Sequence, residues 1–111
     1  MSTVLESIIV GVREDLAVRK RNKPNLESEV KSARPVTDAH KALGTSGMSI
    51  IAEVKRSSPS KGELATISDP AKLAAEYEES GAAIVSVLTE ERRFKGSIKD
   101  FKNVQIGRAH V

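Results

Sequence analysis

The chain has 111 residues, with 18 Lys plus Arg against 15 Asp plus Glu, a net charge of +3, 3% aromatic residues, and neither Cys nor Trp. Without Cys there is no disulfide framework, thiolate metal site or Cys nucleophile, and the expected compartment is the cytoplasm. The apolar run 8–12 is flanked by Glu6 and Arg13 and is far shorter than the ~20 residues of a membrane span, and Met1 to Leu5 carry none of the positive charge that opens a signal peptide.

Leu5, Ile8, Ile9, Val12 and Leu16 draw one apolar stripe at helical spacing, which predicts a helix from Thr3 to about Arg21. Thr3 and Glu6 have the spacing of a capping box in front of it. The helix runs out in Arg19, Lys20, Arg21 and Lys23 before Pro24, where cations complement the helix dipole. A nucleic-acid patch is the alternative for these cations, but no aromatic is interleaved for base stacking. Two short helical pieces, 25–31 and 38–43, follow on either side of Pro35, and Gly44 to Gly47 breaks the chain.

The pattern then turns β-rich at Met48 to Lys55, where Ile50, Ala52 and Val54 alternate as the buried face of a strand. Asp69-Pro70 opens a helix with a capping residue and a first-turn proline, and Leu73, Ala74 and Tyr77 form its buried stripe, with Gly81 as its stop. Ala83 to Thr89 is a nearly continuous apolar run, as expected of a parallel strand covered on both faces. Ser97 and Asp100 begin a last helix bearing Ile98, Phe101 and Val104. The order β, α, β, α after a helical prelude predicts an α/β fold with parallel strands joined by a right-handed crossover.

Candidate chemistry concentrates at the carboxyl ends of both strands, the edge at which parallel α/β proteins bind ligands. Alternation puts Ile51, Glu53 and Lys55 on the face that the helix does not cover, so two opposite charges point the same way. Such a pair is costly to bury without a use, and its plain alternative is a structural ion pair at a solvated strand end. Arg56 to Gly62 (RSSPSKG) then gathers hydroxyls and cations suited to a phosphate or carboxylate, though it lacks the spacing of a P-loop. Glu90, followed by Arg92, Arg93, Phe94 and Lys95, occupies the equivalent place after the second strand. Glu53 with Glu90 could imitate a glycosidase pair, but Lys55 beside Glu53 would keep that carboxylate ionised and spoil it as an acid. His40 and His110 have no ligand-like spacing, and no metal site is expected.

The segments IIAEVKRSSPSKG and DPAKLAAEYEESGAAIVSVLTEERRFKGS, with the opening helix VLESIIVGVREDLAVRK, resemble the amino-terminal portion of indole-3-glycerol phosphate synthase over residues 3 to 104. That family is a (β/α)8 TIM barrel of tryptophan biosynthesis. The resemblance implies residues 1–47 as an N-terminal helical extension and 48–104 as the first two β/α units of an incomplete barrel. It implies a decarboxylating carbon-carbon lyase that converts 1-(2-carboxyphenylamino)-1-deoxyribulose 5-phosphate to indole-3-glycerol phosphate with loss of CO2 and water. The fragment alone is expected to be inactive. An anionic small molecule is then the partner, with no cofactor, metal, nucleic acid or membrane, and with the oligomeric state unspecified.

By the same resemblance Lys55 is the first-strand lysine that contacts substrate and Glu53 the glutamate that orients the polar network. Ser58 is a substrate-contacting serine of the first loop, and Phe94 of the second loop covers the substrate ring. The family's third-strand lysine, its later acid/base glutamate and its phosphate-binding backbone have no counterparts in the chain. A small basic nucleic-acid-binding module is the rival from another class, using Arg19 to Lys23 with Arg92, Arg93 and Lys95. Phosphoribosylanthranilate isomerase, a related barrel, is disfavoured by the EVKRSSPSKG run. Finally, 105–111 (QIGRAHV) shows no strand pattern and can be encoded by CAG ATC GGA AGA GCA CAC GTC, which resembles a sequencing adapter followed by a stop codon. The expectation is a non-native tail read through from an incomplete gene, against the alternative of a divergent natural C-terminus.

Overall fold

A computed structural model describes residues 2–107, which fall into two units divided after Val36. The first unit contains α1 (Val4–Asn22) and α2 (Leu26–Ser32). The capping box at its start is formed: Thr3 Oγ1 accepts from the Glu6 amide at 3.1 Å, and Glu6 Oε2 accepts from the Thr3 amide at 2.7 Å. Arg19, Lys20 and Arg21 occupy the last turn of α1, where their charge meets the negative end of the helix dipole. Lys23 Nζ reaches Glu29 Oε2 of α2 at 3.3 Å. Both side chains are largely exposed, so this pair contributes little.

The second unit begins with α3 (Ala39–Leu43), capped by the Asp38 carboxylate on the Lys41 amide, so α3 groups with the strands rather than with the two helices before it. It continues with β1 (Ile51–Val54), β2 (Ser57–Ser58), β3 (Gly62–Glu63), α4 (Pro70–Glu79), β4 (Ile84–Val87) and α5 (Ile98–Gly107). The class is mixed α/β. β1 and β4 pair in parallel, with Ile51 opposite Ile84, Ala52 opposite Val85, Glu53 opposite Ser86 and Val54 opposite Val87. α4 lies over both strands and packs against α5. Val54, Ala74 and Val104 come from β1, α4 and α5 and are at most 4% exposed, so the core sits where these three elements meet.

α4 starts as the sequence predicts, with Pro70 in the first turn and the Asp69 carboxylate accepting from the Lys72 amide at 3.1 Å. It stops at Ser80 and Gly81, whose φ of +101° lies in the left-handed region that favours glycine. β1 is shorter than the predicted strand. Met48 is 97% exposed and Ile50 60%, and the ladder opens only where the Ala83 amide reaches the Ile50 carbonyl.

Segment 56–62, read from sequence as a polar loop, instead folds into the antiparallel hairpin β2–β3, with Ser57 opposite Glu63 and Ser58 opposite Gly62. Gly62 supplies the positive φ, +66°, that this turn requires. α5 runs on past Val104 to Gly107, through the first three residues of the segment expected to be a tail. The remaining residues of that segment, His110 among them, lie outside the described residues.

Candidate functional site

Parallel pairing puts register partners on the same face of the sheet, so Val54 and Val87 turn toward α4 while Ile51, Glu53, Ile84 and Ser86 share the opposite face. Ile51 is 54% exposed there and Ile84 and Ser86 are half-buried, so among the described residues that face of the sheet is partly open. Lys55, two residues beyond Glu53, meets it across the end of the strand, with Nζ 3.2 Å from Glu53 Oε2. The sequence expectation that these charges point together is met. Their side chains keep 32% and 42% of their exposure, so the pair offsets no burial cost and contributes at most ~1 kcal/mol to stability. What it provides is an oriented ammonium at the carboxyl end of β1. Behind it, the Tyr77 hydroxyl of α4 donates to the Glu53 carbonyl over a long 3.4 Å, a link that sequence alone did not suggest.

Arg56, grouped from sequence with the ligand-binding cations of the first loop, is committed to structure. Its Nε and Nη2 donate to the Ile67 carbonyl at 3.2 and 2.9 Å, and Nη1 and Nη2 take both carboxylate oxygens of Asp100. One planar guanidinium therefore fastens the end of β1 to the connection before α4 and to the first turn of α5. Its side chain is 24% exposed and that of Asp100 13%. The next residues turn into the hairpin, where Ser58 Oγ accepts from the Lys61 amide at 3.2 Å, and Ser58 is half-buried. Its hydroxyl hydrogen remains available to a further acceptor.

The second loop is built around Glu90. Glu90 Oε2 accepts from the amides of Arg93 at 2.7 Å and Phe94 at 3.0 Å, and the Glu90 carbonyl accepts from Gly96 at 2.9 Å. The carboxylate is thus turned into its own loop, not toward Glu53 as in a pair of catalytic acids. Phe94 is half-buried. Lys95 adopts a φ of +58°, unusual for a residue with a β-carbon, and Gly96 is buried.

A depression of about 480 Å3 is lined by Arg56, Ser57, Glu63, Thr66 and Lys95 among others, and holds none of Glu53, Lys55, Ser58 or Phe94. With Arg56 neutralised by Asp100, its wall sets one exposed lysine against one exposed glutamate, which gives no preference for an anion. Among the described residues no three His, Cys, Asp or Glu side chains gather as a metal site, and no helix is long and apolar enough to cross a membrane.

The structure therefore joins Glu53 to Lys55 and places Ser58 in the β2–β3 hairpin and Phe94 in the loop after β4, each held by local hydrogen bonds. Against known proteins, the family model for indole-3-glycerol phosphate synthase matches residues 5–109. An indole-3-glycerol phosphate synthase of Saccharopolyspora erythraea is 57% identical over 105 residues, which is 93% of this chain and 39% of that protein. Indole-3-glycerol phosphate synthase 1 of Streptomyces coelicolor is 54% identical over the same shares. The Mycobacterium avium protein of that name is 52% identical over 94% of the chain. The chain spans 39% of the length of each of these three relatives.

Proposed function

The chain belongs to the indole-3-glycerol phosphate synthase family, and we propose that within the whole protein it forms the helical extension and first two β/α units of a (β/α)8 barrel. That barrel converts 1-(2-carboxyphenylamino)-1-deoxyribulose 5-phosphate to indole-3-glycerol phosphate, releasing CO2 and water, in the cytoplasm. The observation that supports this most directly is the Lys55–Glu53 pair, 3.2 Å apart, on the partly open face at the carboxyl end of a parallel strand.

The roles follow from chemistry. The Lys55 ammonium holds an anionic group of the substrate and, near its ketone, gives up a proton as the ring closes. Glu53 orients that ammonium. Ser58 donates its free hydroxyl hydrogen to the substrate, and Phe94 covers the aromatic ring.

The test is Lys55→Ala in the whole protein, followed by steady-state assay of indole-product fluorescence. We expect kcat/KM to fall by about 100-fold or more, while Tm shifts little because the pair is half exposed. Unchanged kinetics would remove Lys55 from the site.

A further inference from the structure

We infer that Glu90 is a positioning residue that sets the backbone from which Phe94 meets the substrate, rather than a second catalytic carboxylate. The inference deepens the proposed function and rests on the role given there to Phe94. Three observations carry it. One carboxylate oxygen of Glu90 accepts from two successive amides, those of Arg93 at 2.7 Å and Phe94 at 3.0 Å. The carbonyl of the same residue accepts from Gly96 at 2.9 Å, so Glu90 holds the loop on both sides of Phe94. Between those holds Lys95 takes an unusual φ of +58°, and Gly96 is pressed on the Leu88 backbone with no space for a β-carbon.

Charge-assisted bonds from an ionised acceptor to backbone amides are among the stronger ones a loop can have. Their effect is to restrict Phe94 to one backbone position before substrate arrives, which lowers the ordering cost of binding. A carboxylate occupied in this way is poorly placed to act as an acid or base on a ligand.

The experiment uses the whole protein with Glu90→Ala, Glu90→Gln, Glu90→Asp and Phe94→Ala, reading amide hydrogen exchange and steady-state kinetics together. Glu90→Ala should speed exchange of the Arg93 and Phe94 amides by roughly tenfold or more, leaving Val54 and Val87 unchanged. KM should rise more than kcat falls, Phe94→Ala should do the same, and the double variant should be no worse than Phe94→Ala alone. Glu90→Gln keeps an acceptor oxygen without the charge and should restore most of both readouts relative to Glu90→Ala. Glu90→Asp keeps the charge but shortens the reach by one methylene, so it should loosen the loop like Glu90→Ala and serves if that variant fails to fold. Unaltered exchange at Arg93 and Phe94 in Glu90→Ala or Glu90→Asp would overturn the inference. So would Glu90→Gln with parental exchange but a tenfold lower kcat, since the carboxylate would then act on the substrate itself. Parental kinetics in Phe94→Ala would overturn the role of Phe94 alone, because exchange judges the hold of Glu90 on the loop separately.

Discussion

Gly96 stands against the backbone of Leu88 so closely that a β-carbon there would overlap the Leu88 carbonyl oxygen and carbon. The clash is with main chain at the end of β4, which cannot rotate aside as a flexible side chain would. Glycine is therefore required at 96 by proximity, not by its own backbone angles.

Replacing Gly96 with Ala should accordingly destabilise the whole protein by about 2–3 kcal/mol and raise hydrogen exchange in the loop around Phe94. A thermal melt checks this. An unchanged Tm would show that the β4 end can yield.

Arg56→Ala should lower stability by about 2–4 kcal/mol, because Asp100 and the Ile67 carbonyl lose their donors in a partly buried place. Arg56→Lys should recover only part of the loss, since one ammonium cannot serve both carboxylate oxygens and a carbonyl in a fixed fork. Chemical denaturation of Arg56→Ala, Asp100→Ala and the double variant measures the coupling, which should exceed 1 kcal/mol in magnitude. Additive losses would mean that the two side chains do not act together.

Thr3→Ala removes the acceptor for the Glu6 amide and should cost about 1 kcal/mol of local helix stability. The loss should appear as faster amide exchange confined to the first turn of α1. Exchange spreading through β1 and β4 would contradict a purely local cap.

The 111-residue chain expressed alone should show no sharp cooperative melt and no turnover. Among the described residues the buried apolar side chains are Val54, Pro70, Ala74 and Val104, while Leu5, Ile50 and Ile51 are each more than half exposed. Both outer edges of the β1–β4 pair are also open among the described residues. So little buried area cannot offset ~1–2 kcal/mol of backbone ordering per residue. Circular dichroism across a thermal scan, with the fluorescence assay alongside, is the measurement; a steep transition accompanied by product would contradict both expectations.

Local patterning in the sequence determined the helix starts, because a cap is decided within four residues: Thr3 with Glu6, and Asp69 with Pro70. It also determined that Glu53 and Lys55 share a face, since strand alternation requires it, and the pair was found at 3.2 Å. The tertiary structure decided what depended on distant partners. β1 begins at Ile51 rather than Met48 because β4 offers no ladder partner earlier, and strand length is a property of the pair. Arg56 looked like a ligand-binding cation until Asp100, 44 residues away, took its guanidinium. Glu90 looked like a possible acid until its own loop folded back onto its carboxylate. Sequence shows which groups can ionise or donate; only the folded chain shows which are already spoken for, because hydrogen-bond partners are chosen by distance in space.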